Sequence, residues 1–461
     1  MLMNRRSLIT SLGASVVGSQ FAGAAPVRPR NFVVILCDDL GYGDLGSYGS
    51  PIRTPELDRM AREGTRFTNA ISANPVCSPS RAGLLTGRYP ARVGIPKVLL
   101  PPDKGGLAKD EITLAELLKK KGYATGCIGK WHIGHQADQM PLRRGFDSYF
   151  GIPYSNDLKP TLVYEDEKVV EQDADQESLT RRYTEHAVQF IKKNSKQPFF
   201  LYLAHTYPHI PLHASSPFSG KSEAGIYGDV VSELDWSTGR ILETLRKQGL
   251  ARDTMVVFTS DNGPWYQGSP GATRGRKGAT WEGGVRVPFL AWQPGSIPAS
   301  RTSKALVSLM DLFPTAAARA GLEPPKPTDG IDAWPVLSGR QESVKREDLL
   351  YFLDTHLQCI RRNDWKLHLS RYNGWLFSPE TSIRLKNLPL PKPELYNLAF
   401  DPEESYDISD RHPELVRDLM AKAEAMIAGF PQVYRDSFAA TRKIPVMNTP
   451  AGQYPIARPT E

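Results

Sequence analysis

Cys77-Ser78-Pro79-Ser80-Arg81, continued by Ala82-Gly83-Leu84-Leu85-Thr86-Gly87-Arg88, puts a cysteine, a proline and an arginine at a spacing that reads as a cysteine-modification signal, and so as an enzyme. Pro79 suits the first turn of a helix, and Ser78 or Asn74 offers a side-chain cap. Cys77 then stands at the positive end of that helix beside Arg81, where an anion is held. An isolated cysteine is more often a small buried hydrophobe, and here the neighbours argue otherwise. Two polar clusters add a second kind of chemistry. Asp38-Asp39 follows the apolar run Asn31–Cys37, and Asp261-Asn262 follows the apolar run 254–259. Asp38, Asp39, Asp261 and Asn262 supply hard oxygen ligands without thiolate or imidazole, which suits calcium first, magnesium second, and zinc poorly. Carboxylates crowded in one crevice repel one another unless a cation joins them.

Cations and imidazoles stand at other element ends. Gly129-Lys130-Trp131-His132-Ile133-Gly134 sets Lys130 and His132 two residues apart, so an extended chain turns both to one side. A solvent-facing lysine with a packed histidine is the alternative reading of that pair. His205, His209 and His213 follow the apolar run 198–204, and one of the three is expected to be functional. Lys277 lies in Gly275-Arg276-Lys277-Gly278, where glycines let backbone approach a ligand, the alternative being an ordinary solvated lysine.

The elements that must position these groups alternate. Short continuous apolar runs at 31–37, 198–204 and 254–259 read as strands buried on both faces. Helices are expected over 55–64, with Thr54 as cap and Pro55 in the first turn, over 111–121, stopped by Gly122, over 179–194 and over 228–248. Such alternation predicts an α/β fold with a large, mainly parallel sheet flanked by helices, in which ligands gather outside the carboxyl ends of the strands. Beyond about residue 340 the pattern changes to strands at 349–353 and 359–369 and a helix over 413–427, a smaller C-terminal α+β subdomain. The expected division is a leader over 1–24, a catalytic domain over 26–340 and the subdomain over 341–461. The glycine-rich stretch 263–277 reads as a surface loop near the site.

With 461 residues, of which 40% are hydrophobic, the chain can bury a large core. Arg5-Arg6 before a mildly apolar, serine- and glycine-diluted run, then Ala22-Gly23-Ala24, read as a twin-arginine export signal, so the mature protein is expected in the periplasm or outside a bacterial cell, without a membrane anchor. A formal charge of +7 is compatible with anionic substrates, and no dense basic tract suggests nucleic acid. Four cysteines at 37, 77, 127 and 359 do not make a disulfide framework in so long a chain.

Together these segments resemble the type I, formylglycine-dependent sulfatases of the alkaline phosphatase superfamily, close to their arylsulfatase A and N-acetylgalactosamine-6-sulfatase members. The blocks that carry the resemblance are Asp38-Asp39-Leu40-Gly41-Tyr42-Gly43-Asp44-Leu45-Gly46, the run from Cys77 to Gly87, Gly129 to Gly134, Gly145-Phe146-Asp147, Thr259 to Gly263 and Trp281 to Gly284, in the family's order. The resemblance implies an alkaline phosphatase-like fold and hydrolysis of aryl or carbohydrate sulfate monoesters. It implies that Cys77 is oxidised to formylglycine by a maturation enzyme, and that calcium is held by Asp38, Asp39, Asp261 and Asn262 with the modified residue 77 completing the site. Arg81 would steady the formylglycine hydrate, Lys130 and Lys277 would hold sulfate oxygens, and His209 with Lys277 would serve the departing oxygen. His132 would take a proton from the hydrate so that sulfate is released. Pro208-His209-Ile210 departs from the family's threonine-histidine pair, and the loop 263–277, with Trp265, Tyr266 and two arginines, has its own sequence, so the choice between aryl and sugar sulfate stays open. A phosphonate monoester or phosphodiester hydrolase, and a sulfated-glycan binding protein without turnover, are the competing readings.

Overall fold

Strand residues that alternate between two apolar faces need helices on both sides, and the computed structural model, which describes residues 30–372 and 386–444, supplies them. The expected leader lies outside the described residues. The strands are β1 (Asn31–Cys37), β2 (Thr65–Phe67), β3 (Ala70–Ile71), β4 (Ala124–Gly129), β5 (Ser148–Gly151), β6 (Val163–Glu165), β7 (Lys168–Glu171), β8 (Phe199–Ala204), β9 (Thr254–Ser260), β10 (Phe289–Trp292), β11 (Arg301–Ser303) and β12 (Val307–Ser308). Ten of them form one sheet in the order β11-β2-β10-β9-β1-β8-β4-β5-β6-β7. Its centre, β9-β1-β8-β4-β5, is parallel. Antiparallel neighbours β10, β6 and β7 flank that centre, so the sheet is mixed rather than uniformly parallel. The flanking strands are short and need no helical crossover.

The helices are α1 (Pro55–Glu63), α2 (Cys77–Thr86), α3 (Leu114–Lys119), α4 (Leu179–Lys193), α5 (Gly225–Lys247), α6 (Glu282–Val285), α7 (Leu312–Arg319) and α8 (Trp334–Leu337). Phe32, Val34 and Leu36 of β1 face a core completed by α2, α3, α7 and α8. Val33, Ile35 and Cys37 face a second core under α1, α4 and α5. Strand β1 is therefore buried on both faces, which is why its sequence is continuously apolar.

A second, four-stranded antiparallel sheet follows, β13 (Leu349–Leu353), β14 (His356–Arg362), β15 (Trp365–Tyr372) and β16 (Asn387–Asn397), covered by α9 (Pro413–Ile427) and α10 (Gln432–Lys443). Leu419, Ala423, Ile427, Phe430 and Tyr434 pack on Leu357, Ile360 and Leu367, and the same cluster takes in Tyr89, Val285 and Met310 of the larger part. Two expectations change here. The strand expected over 359–369 is a hairpin, because Asn363 takes a left-handed φ of 52° and turns the chain between β14 and β15. The helix expected over 111–121 is shorter, because Thr113 caps it in a reciprocal box with Glu116, while the Glu111 carboxylate accepts from Arg88 instead.

Candidate active site

Four neighbouring strands end at one crevice. Asp38 and Asp39 leave β1, Asp261 and Asn262 leave β9, Lys130 and His132 leave β4, and His209 follows β8. Helix α2 points its first residue, Cys77, at the same place. Asn74 and Ser78, expected to cap α2, do not: Asn74 Oδ1 accepts from Val76 N and Ser78 Oγ from Leu99 N. No side chain caps that end: Pro79 has no N–H and Ser80 N donates to the Val76 carbonyl at 3.1 Å.

Arg81, one turn into α2, is buried and binds both clusters. Its Nε and Nη2 lie 2.9 Å from Asp261 Oδ2, its Nη2 lies 3.2 Å from Asp38 Oδ2, and its Nη1 donates to the Lys130 carbonyl at 2.8 Å. Lys130 Nζ pairs with Asp38 Oδ2 and donates to Ser155 Oγ at 3.0 Å. Lys277 is buried rather than solvated, with Nζ 2.9 Å from Asp39 Oδ2. Asp39 and His132 both take left-handed backbone, at φ 63° and 62°, the kind of local strain that gathers at functional sites.

The carboxylates are not evenly satisfied. Burial pushes the Asp38 carboxyl up, but Lys130 and Arg81 outweigh it and hold the group below the usual carboxylate range. Burial raises Asp39 despite Lys277, and burial with the neighbouring Asp38 charge raises Asp261 to about 7. Oxygen atoms of Asp38, Asp39 and Asp261 lie within 4.8 Å of one another. Asn262 donates from Nδ2 to Asp39 Oδ1 at 2.7 Å, and its Oδ1 is buried without a hydrogen-bond partner. Three crowded carboxylates and an orphaned amide oxygen are the donor set of a hard divalent cation, and they fit one.

Cys77 Sγ lies 3.5 Å from Asp38 Oδ1, and burial, then the Asp38 charge, pushes its thiol up to about 12. The unmodified side chain is thus a neutral thiol and a poor nucleophile. His132 Nε2 lies 2.8 Å from the Leu99 carbonyl, an acceptor only, so Nε2 carries the hydrogen and Nδ1 is the basic nitrogen. Burial and Lys130 hold the ring well below its usual range, which keeps it unprotonated. Burial and Lys277 lower His209 to about 3; its Nε2 stands 3.8 Å from Asp39 Oδ2.

The geometry resolves the three histidines. His209 faces the crevice, whereas His205 is buried between β8 and α5 with Nε2 3.2 Å from Ser237 Oγ, and His213 takes no part in the cluster. A cavity of about 210 Å³ is lined by Cys77, His132, Ser155, His209, Trp265 and Lys277. Asp38, Asp39 and Lys130 contact residues of that lining, and Arg81, Asp261 and Asn262 lie one contact further back, behind Asp38 and Asp39. Sequence reasoning missed Ser155. Its position just past β5, another parallel strand ending at the crevice, was the available signal.

The loop 263–277 is fastened from below. Asp44 accepts from Gly41 N at 2.8 Å, from Ser269 N at 2.9 Å and from the Tyr227 hydroxyl. Gly41 must be glycine, since a Cβ there would lie 2.2 Å from the Ser269 carbonyl oxygen.

A family model described as "Sulfatase" matches residues 30–322. N-acetylgalactosamine-6-sulfatase of Canis lupus familiaris is 41% identical over 404 residues, covering 80% of this chain and 76% of that protein. Arylsulfatase A of Homo sapiens is 37% identical over 448 residues, covering 87% and 86%. Among solved structures, a sulfatase from Pseudoalteromonas sp. superposes with a TM-score of 0.78 at 28% identity, covering 89% of this chain and 91% of that one. The family-model match spans the large sheet and ends before β13.

Proposed function

The chain belongs to the sulfatase family, and from that premise we propose that it hydrolyses sulfate monoesters of a sugar or an aryl alcohol to the free alcohol and inorganic sulfate, with Cys77 matured to formylglycine as the nucleophile. The observation that carries the proposal is the setting of Cys77. It stands at the uncapped start of α2, with Arg81, Lys130 and Lys277 around it, as a thiol too basic to act unmodified.

Formylglycine, once formed, supplies a hydrated aldehyde whose second hydroxyl allows release of sulfate, which a plain serine or cysteine lacks. Asp38, Asp39, Asp261 and Asn262, with residue 77 beside them, would hold calcium in preference to magnesium, which supplies positive charge where sulfate oxygens become more negative. Lys130 and Lys277 hold sulfate oxygens, and Arg81 fixes residue 77 against the two acidic strand ends. His132 accepts a proton at Nδ1 while the Leu99 carbonyl fixes its tautomer. His209 and Lys277 serve the leaving oxygen; in the free site His209 is neutral, so Lys277 carries the available proton until sulfate charge enters. Ser155 orients Lys130 from the opposite wall.

Residues 26–340 form the catalytic domain in this reading and 341–461 a subdomain, with 1–24 an export leader to the periplasm or beyond, and a formylglycine-generating enzyme as the maturation partner. Among the described residues no helix is long and apolar enough to cross a membrane. The test is the mass of the peptide containing Cys77, from protein coproduced with a maturation enzyme, paired with turnover of 4-nitrophenyl sulfate and of phosphate mono- and diesters. Formylglycine with a preference for sulfate supports the proposal. An unmodified, active Cys77 refutes the nucleophile, and a preference for the diester refutes the substrate.

A further inference from the structure

At the floor of the crevice three cations, Arg81, Lys130 and Lys277, face three carboxylates, Asp38, Asp39 and Asp261. The mouth is different. Val98, Leu100, Leu158, Ile210 and Trp265 give it an apolar lining, and the carboxylate of Asp157 stands among them, exposed to solvent and lining the same cavity as Cys77. Asp157 lies two residues past Ser155, on the segment that follows β5. Among the described residues its carboxylate makes no hydrogen bond or ion pair, although its charge is felt at His209. The nearest lysine along the chain, Lys159, pairs with Asp173 at 2.7 Å instead.

A ring entering this cavity with its sulfate at the floor lays its faces against the apolar lining and, beyond Ser155 and the histidines and lysine assigned to the sulfate and the leaving oxygen, meets one acidic group, Asp157, which has no ion-pair partner among the described residues. Neutral hydroxyls donate to such a group, and an ammonium is attracted to it. A second sulfate or a carboxylate on the same ring is repelled. We propose that Asp157 is a specificity-determining residue that selects sulfate esters whose leaving group is neutral or cationic and rejects those bearing a second anionic group beside the ester. The inference deepens the proposed function and rests on it. A cavity of about 210 Å³ is also small beside the ~300–1,000 Å³ of sites that take larger ligands. It takes one ring rather than a length of polymer, so the discrimination acts on the ring that carries the ester.

The test compares kcat/KM of the matured full-length protein and its Asp157→Asn variant on three aryl sulfates with para substituents of different charge: nitro, carboxylate and trimethylammonio. Each substrate's intrinsic reactivity cancels when variant is divided by wild type. The variant is expected to gain roughly three- to thirtyfold on the carboxylate ester relative to the nitro ester, and to lose by a similar factor on the trimethylammonio ester, as suits charges several ångströms apart in a partly hydrated mouth. Asp157→Ala should do the same, since charge rather than shape is at issue. In wild type, raising the salt to ~1 M should move the ratios toward those of the variant. If the substituted proteins do not fold, wild-type carboxylate-to-nitro ratios that ignore salt overturn the inference. Ratios equal in wild type and Asp157→Asn also overturn it, and leave the sulfatase reading intact. Failure of matured wild type on all three esters overturns that reading and this inference with it.

Discussion

Two clusters of buried charge, each assembled from distant parts of the chain, end in opposite electrostatic states. The first is the crevice. The second joins α6 to the C-terminal sheet: Glu282 accepts from Arg286 at 2.8 Å, Lys366 at 3.0 Å and Arg361 at 3.1 Å, while Glu404 accepts from His368 at 2.7 Å and from Glu282 N at 2.6 Å. Both clusters are fully desolvated, so each carboxylate starts with the same penalty. In the second, burial pushes Glu282 and Glu404 up, but Lys366 and its neighbours more than offset it, and both end below the usual carboxylate range. In the crevice Asp39 and Asp261 end above it. A cluster built to hold two parts of a fold together closes on itself. One proposed to receive a ligand keeps a deficit that a cation from outside would make good.

The largest break in that comparison is Cys77→Ala. It removes the proposed nucleophile from a site whose remaining charges stay in place, so turnover should fall by about 10⁴ or more while melting hardly moves. Residual turnover near wild type would remove Cys77 from the mechanism. Next comes the deficit itself. Stripping calcium with a chelator, or Asp261→Asn, should each cost at least ~10² in turnover, and the variant should bind calcium more weakly in a titration. Unchanged calcium affinity in Asp261→Asn would contradict its ligand role.

The two clusters should also answer pH with opposite signs. Asp261 keeps its proton in the chelated, folded protein up to about 7 but loses it near 3.8 when unfolded, so folding takes up a proton between those values and stability falls as pH rises across that window. Added calcium should remove this slope. Glu282 is held below its unfolded value of about 4.5, so its contribution is present above that pH and is lost as pH drops below it. Glu282→Gln should cost about 3–5 kcal/mol by leaving Lys366 and Arg361 underpaired, and should flatten the acid limb of a melting profile without changing calcium affinity. A calcium defect in that variant would show that the clusters are not independent.

Legibility followed the same division. Continuous apolar runs gave away β1, β8 and β9, because a strand covered on both faces leaves no room for polar residues. Strand ends followed by Asp-Asp and Asp-Asn gave away the acidic half of the crevice. The flanking strands β2, β6, β7 and β11 were not legible, since three or four residues at a sheet margin carry too short a pattern to be told from loop. The turn at Asn363 was missed although Asn363-Asp364 is a pair of turn-favouring residues, because the apolar residues on either side of it read as one strand. Lys277 was expected at the site from its glycine-flanked loop and the family resemblance; what the fold adds is its ion pair with Asp39. The Glu282 network was invisible, because its members come from 282, 361, 366 and 404 and no local spacing relates them.

The smallest expected effect tests how Lys277 is kept in place. The loop that carries it has no apolar core of its own and is fastened through Asp44, whose carboxylate accepts two backbone N–H groups and the Tyr227 hydroxyl. Burial raises the Asp44 carboxyl and those three donors oppose the rise, so each donor counts toward keeping it ionised. Tyr227→Phe removes one donor from α5, distant in sequence from every proposed catalytic group, and leaves the ring packing in place. A cost of about 0.5–1.5 kcal/mol follows for a lost hydrogen bond of this kind. If the fastening matters for positioning, part of that cost appears in turnover: kcat should fall a fewfold with KM little changed, because Lys277 is then less often at the leaving oxygen. The same loss of stability with kcat untouched would mean that Lys277 is positioned without the Asp44 fastening, by its Asp39 ion pair and the loop's other contacts. The crevice would then resemble the Glu282 cluster in this one respect, holding its cation in place without help from Asp44.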